Sequence, residues 1–150
     1  MPKAFLKKRS IVAAAVLGVV AALSIPAAFA VSPHFNYANV TGVTSNSITV
    51  SFKESGLGNS LDSVNITLSG TAECINGGNH HPKAANKTAE GASGTFNVSN
   101  GQATGSLTMF ATNISPSCSP PMVIAWTNLT VTDTTFSDTT TIPGTFFPSG

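Results

Sequence analysis

From Val64 to Cys74 the chain alternates without a break. Val64, Ile66, Leu68, Gly70, Ala72 and Cys74 take one parity, while Asn65, Thr67, Ser69, Thr71 and Glu73 take the other. A period of two belongs to a strand with one face in a core and one toward water, and an α-helix cannot present it as a single face. The phase places the Cys74 sulfur inward and Glu73 outward. Gly70 and Ala72 make the second half of the apolar face shallow, which predicts a bulge or the close approach of another strand.

The same chemistry recurs along the chain from Val31 onward, which is dominated by Thr, Ser, Asn and Gly around short apolar runs. Ser47 to Lys53 alternates with Ile48, Val50 and Phe52 on one face. Thr95 to Val98 reads as a short strand, Asn100-Gly101 as a hairpin turn, and Ala103 to Ala111 as the returning strand. Met122 to Val131 is apolar on both parities: Val123, Ala125, Leu129 and Val131 fall on one, Met122, Ile124 and Trp126 on the other. That pattern predicts a central strand covered on both sides for part of its length. A last strand is expected around Thr139 to Phe147, interrupted at Pro143-Gly144. Short strands at this spacing, about seven of them, predict an all-β antiparallel β-sandwich, immunoglobulin-like in architecture. Trp126 follows the second cysteine, whereas antibody domains place their buried Trp between the two, so a true immunoglobulin domain is not expected.

The first thirty residues have a different character. Lys3, Lys7, Lys8 and Arg9 precede an apolar run from Ile11 to Leu23, then Ser24, Pro26 and Ala28-Phe29-Ala30. Charge, a short apolar core and an A-x-A site in that order are a secretory signal peptide, with cleavage expected after Ala30. The apolar core falls short of the roughly 20 residues that span a bilayer, so no membrane association is expected after cleavage. Residues 31–150 then form a single secreted domain. An exported chain with two cysteines predicts one disulfide, Cys74 to Cys118, because the compartment is oxidising.

Removing the leader leaves Lys53, Lys83 and Lys87 against six acids. Such a chain lacks the concentrated basic patch that collects phosphate contacts, so nucleic acid is not an expected partner. No G-x-S-x-G elbow occurs, and nothing in the sequence brings two carboxylates into a cleft. No catalytic residue and no cofactor is therefore assigned, and the chain is read as a non-enzyme. Asn-x-Ser/Thr triplets at Asn39, Asn65, Asn86, Asn97, Asn113 and Asn128 follow from composition in a chain this rich in Asn, Ser and Thr.

The least ordinary segment is Glu73 to Lys87, E-C-I-N-G-G-N-H-H-P-K-A-A-N-K. Cys74 anchors its start, Gly77 and Gly78 permit a turn, and Pro82 limits the backbone. Loops on rigid scaffolds carry binding residues, so Asn76, Asn79, His80, His81, Lys83, Asn86 and Lys87 form the candidate binding loop. His80 and His81 with Glu73 and Glu90 offer ligands to a divalent metal, but adjacent histidines in extended chain point apart and the spacing is that of no standard site. No metal is assigned.

This segment, preceded by S-F-K-E-S-G-L-G and V-N-I-T-L-S-G-T-A, resembles a group of small exported proteins of Gram-positive, filament-forming bacteria. The resemblance covers the leader and Ser51 to Lys87 best and implies an extracellular β-domain. It carries over no catalytic or binding residues. The expected function is a non-catalytic role outside the cell or at its surface, as a monomer, through the loop after Cys74, with a polysaccharide or another surface protein as partner. The alternative is a lectin-like module that uses the Thr-rich run Thr127 to Thr141, with Trp126 or Tyr37 at its rim. A metal-dependent hydrolase centred on His80 and His81 ranks third.

Overall fold

The computed structural model describes residues 31–76, 87–112, 114, 118 and 121–148. The leader, and with it the cleavage site at Ala30, falls outside them. Seven strands form in chain order: β1 (His34–Val43), β2 (Ser47–Ser55), β3 (Ser63–Ile75), β4 (Lys87–Asn97), β5 (Gln102–Phe110), β6 (Val123–Asp133) and β7 (Asp138–Ile142). All pair antiparallel, in a three-stranded sheet ordered β1-β2-β5 and a four-stranded sheet ordered β4-β3-β6-β7. No helix occurs among the described residues. The chain is all-β with one disulfide. The constant immunoglobulin arrangement keeps its fourth strand with the first, second and fifth; here β4 joins β3, β6 and β7 instead.

The core follows from strand parity. Ile48, Val50 and Phe52 of β2 face Val64, Ile66 and Leu68 of β3, and Leu107 and Met109 of β5 with Leu129 and Val131 of β6 complete a continuous apolar interior. Burying one such side chain stabilises the fold by about 1.5–3 kcal/mol, offset largely by chain entropy. Three phenylalanines fill one end. Phe52 meets Phe96 edge to face with ring centres 4.8 Å apart, and Phe35 meets Phe52 in the same way at 6.2 Å. The Phe96 ring lies flat over Gly105, where a Cβ would stand 2.2 Å from a ring carbon.

Two expectations are corrected here. Asn100 and Gly101 do form the predicted tight turn, with φ of +50° and +70° and a Ser99–Gln102 bridge. Yet the strands it joins do not pair with each other. β4 pairs with β3 and β5 with β2, so the turn carries the chain from one sheet to the other. Second, the strand expected to begin at Thr95 begins at Lys87, so Lys87 belongs to β4 and not to a loop. β4 hides from a pattern search because its inward positions are Thr88, Glu90, Ala92, Gly94 and Phe96, with one bulky apolar residue among them.

Cys74 and Cys118 are joined, with Cα atoms 5.4 Å apart and a sequence separation of 44. The closed loop contains β4 and β5, one edge strand of each sheet. The sulfur of Cys74 points inward, as the alternation of β3 requires.

Candidate functional site

The irregular part of the four-stranded sheet lies where β6 meets β7. Along β3 and β6 the register moves from Thr71–Thr127 to Ser69–Thr130, so Asn128 and Leu129 together oppose Gly70. This is the bulge anticipated at Gly70. Asn128 takes φ of +54°, a left-handed conformation that Asn adopts more readily than most residues. Gly70 permits the close approach, since a Cβ there would lie 2.6 Å from Leu129 Cδ2 and 2.9 Å from Met109 Cε.

The extra residue reverses the phase of β6. Ile124 and Trp126 share the inward parity of Cys74 and Ala72 before it, and Val131 and Asp133 share that of Leu68 and Ile66 after it. The doubled apolar parity of Met122 to Val131 is thus one inward face interrupted by a bulge. Coverage on the opposite face is confined to Ala125, which is fully buried beside Glu73.

β7 breaks opposite this bulge. Its ladder with β6 runs to Leu129–Ile142, then Pro143, Gly144 and Thr145 leave it. Pairing resumes at Trp126–Phe146, with reciprocal backbone bonds of 2.9 and 3.0 Å. Proline cannot donate to a ladder, and Gly144 sits at φ of +126°, so the sequence dictates the interruption. Bulge and break together open a groove of about 600 Å³ whose lining includes Glu73, Lys87, Asn128, Thr130, Thr141 and Gly144.

Lys87 Nζ lies 2.9 Å from Glu73 Oε2. The two are register partners at the ends of β3 and β4, where the segment 77–86 leaves and returns. Glu73 faces away from the core, as expected, but it is only 2% exposed. The lysine stem and the neighbouring Ala125 lie against it on the sheet, so its outward direction did not mean exposure. The described lining of the groove thus carries one charge of each sign.

Of the predicted loop, Asn76 is exposed just beyond β3 and Lys87 opens β4. Asn79, His80, His81, Lys83 and Asn86 lie outside the described residues. The suggested sharing of a metal by Glu73 and Glu90 is excluded by parity: Glu90 pairs with Gly70 and faces inward, where Thr112 Oγ1 donates to its Oε2 at 3.2 Å, whereas Glu73 faces outward. No group of three His, Cys, Asp or Glu side chains converges among the described residues.

Beyond the groove the outer face of the sheet is almost entirely hydroxylated. Ser93, Thr67, Thr132 and Thr139 form one row across all four strands; Ser69, Thr130 and Thr141 form the next. Thr67 and Ser93 share a hydrogen bond of 3.2 Å, as do Thr132 and Thr139. The aromatic rim expected for this face is absent. Trp126 is wholly buried, and Tyr37 stands on the outer face of the other sheet, in the row of Lys53 and Thr104.

One constellation had no expectation attached to it. Glu54 ends β2 in the inward parity of Ile48, Val50 and Phe52, and Asp133 ends β6 in that of Leu129 and Val131; both are fully buried, one from each sheet. Asp138 pairs with Asp133 across β6 and β7. Burial first, and then the neighbouring Asp133 and Asp138, push the Glu54 carboxyl up to about 8. The signal was in the sequence, as an acid continuing an apolar parity at a strand end. This pair is sealed from solvent, so it offers no substrate two reachable carboxyls. Neither the models of known protein families nor the curated proteins include a match to this chain.

Proposed function

We propose that this chain is an exported, non-catalytic binding domain whose partner is taken at the groove between β6 and β7, beside the Glu73–Lys87 pair. The observation that carries the reading is a coincidence of three features. A bulge, a strand break and an ion pair with a buried carboxylate fall at one place on an otherwise regular sheet, and sheet irregularities of this kind re-aim side chains beside functional sites. Cys74, fixed by its disulfide, and Lys87, fixed by its ion pair, give the intervening segment two anchored ends. The partner is extracellular, in keeping with the leader sequence and a disulfide between the only two cysteines.

Within this reading, the hydroxyl rows running from the groove across the sheet favour a neutral polysaccharide over a charged partner. Threonine hydroxyls and the Asn128 amide both donate and accept, matching sugar hydroxyls, and the described lining residues carry one charge of each sign. None of the described residues that line the groove is aromatic, which favours recognition by hydrogen bonding over stacking.

The test is retention of the mature protein on insoluble neutral polysaccharides and on whole cells, compared with Thr141→Arg. Thr141 is exposed at the groove and outside the core, so the variant folds. Retention is expected for the native protein and loss for the variant. Equal retention of both moves the partner to another surface and overturns the groove assignment.

A further inference from the structure

We infer that Glu54 and Asp133 form a proton-operated latch between the two sheets, closed by one shared proton and released as the medium becomes alkaline. The inference stands on placement. Glu54 reaches inward from the end of β2, Asp133 from the end of β6, and both side chains have no measurable exposure. Asp133 Oδ1 is occupied, accepting the Thr135 backbone N–H at 2.7 Å. Its Oδ2 and both oxygens of Glu54 are buried and meet no donor from any other described residue.

Three sealed acceptor atoms without a donor constitute a severe cost unless a hydrogen sits among them. Two carboxylates held together cannot both ionise, and a single retained proton converts their repulsion into an O–H···O bond. Glu54 is the group that keeps it: it donates to Asp133 Oδ2, which serves two of the three oxygens and leaves the second Glu54 oxygen as a neutral carbonyl, far less costly to bury than a carboxylate.

Among the described residues the surroundings offer no other compensation. Glu54 pairs with Phe35 on β1 and Ala103 on β5, both uncharged. From β6 and β7 the groups that influence it are Asp133 and Asp138, both acidic. Lys53, the next residue along β2, lies on the opposite parity in the row of Tyr37 and Thr104. His34 opens β1 on the exposed side, its Nδ1 2.9 Å from Ser32 O. A metal ion in place of the proton is disfavoured by the donor geometry, since no three acidic or imidazole groups converge among the described residues.

The sign of the effect follows from linkage. Glu54 in the folded chain holds its proton to about pH 8, and the unfolded chain releases it near 4.5. Between those values the folded state binds more protons, so stability falls as pH rises, by roughly tenfold in the folding constant per pH unit from one such group. Below about 4.5 the latch contributes its full stabilisation; above about 8 the loss is complete. An exported domain of this construction is most secure in acid and loosens in an alkaline medium.

The experiment is urea unfolding of the native protein, Glu54→Gln and Asp133→Asn at several pH values from 5 to 9. Gln keeps the donor to Asp133 without a titrating proton. Asn keeps an acceptor for Thr135 and gives Glu54 a neutral partner, so Asp133→Asn supplies the readout if Glu54→Gln does not fold. The native protein is expected to lose close to tenfold per unit relative to Glu54→Gln, with Asp133→Asn intermediate, and subtraction between variants removes contributions common to all three. Amide exchange at Leu57 and Thr135 should accelerate in step with the loss in the native protein alone. Parallel pH profiles for native protein and both variants would sink the latch. So would abolition of the native slope by calcium or zinc, which would make the pair a metal site instead.

Discussion

At the scale of single residues, glycine shows how contact geometry decides the sign of a substitution. Gly105 and Gly42 both lie in the three-stranded sheet region, yet their surroundings differ. A Cβ on Gly105 would meet the Phe96 ring at 2.2 Å, whereas one on Gly42 would have Thr49 Cβ at 3.7 Å, an ordinary contact. Gly105→Ala must therefore push Phe96 off its seat against Phe52, and we expect a loss of about 1–3 kcal/mol, the range for overpacking a core. Gly42→Ala relieves the entropy of a strand glycine without a clash and should gain up to about 1 kcal/mol. Chemical denaturation of the two variants side by side measures the difference; equal effects would mean that Phe96 is free to move. Residue-scale features were legible in the sequence where parity alone governs them. Ile48, Val50, Phe52 and the inward Cys74 follow directly from alternation. Glu73 was placed on the right face but at the wrong depth, because alternation reports direction and says nothing about what a neighbouring lysine stem covers. Glu54 and Asp133 stood in inward parity all along; an acid at such a position is easily taken as the end of the strand rather than as its continuation.

At the scale of elements, the fold departs from pattern wherever a strand changes phase or lacks bulky side chains. β1 escapes a period-two reading because its register slips between Phe35 and Tyr37 and again between Val40 and Gly42. β4 escapes it through its small inward residues. The Asn100-Gly101 turn was legible because two left-handed residues need a specific chemistry, but turn chemistry does not choose partners, and β2 and β3 compete successfully for the strands on either side. β6 is the instructive case. Its double apolar parity is explained by the bulge at Asn128, so the conformation of one residue decides which half of the strand faces the core. Asn128→Gly should be neutral or slightly stabilising, since glycine takes φ of +54° at no steric cost; Asn128→Ala should lose about 1 kcal/mol, the penalty for a Cβ in the left-handed region. Thermal unfolding of the two variants distinguishes them. An alanine variant as stable as the glycine one would mean that the bulge migrates, and with it the groove between β6 and β7.

At the scale of the molecule, the organisation of the sheets makes most contacts distant in sequence. The two sheets share no ladder, and the chain crosses between them at β2–β3, β4–β5 and β5–β6. Topologies of this kind fold slowly, because loop closure is costly before distant contacts form. The Cys74–Cys118 bridge acts on that cost. It joins the end of β3 in one sheet to the connection that follows β5 in the other, and the loop it closes holds β4 and β5, each an edge strand with a single ladder partner. For a loop of 44 residues the chain-entropy model gives about 4 kcal/mol, a large fraction of the 5–15 kcal/mol typical of a domain. Cys74→Ser with Cys118→Ser should therefore lower the unfolding free energy by about 2–4 kcal/mol, with the smaller value applying if the unfolded chain keeps some order. Because Cys74 is buried, the serine there adds a hydroxyl to an apolar site, so Cys74→Ala with Cys118→Ala is the cleaner comparison. The loss should also be distributed unevenly. β4 and β5 lie inside the closed loop, so their amides should exchange faster in the alanine pair than those of β6 and β7 do. Uniform acceleration across all seven strands would show that the bridge acts on global unfolding alone and does not secure the edge strands on which the Glu73–Lys87 pair, and the groove it borders, depend.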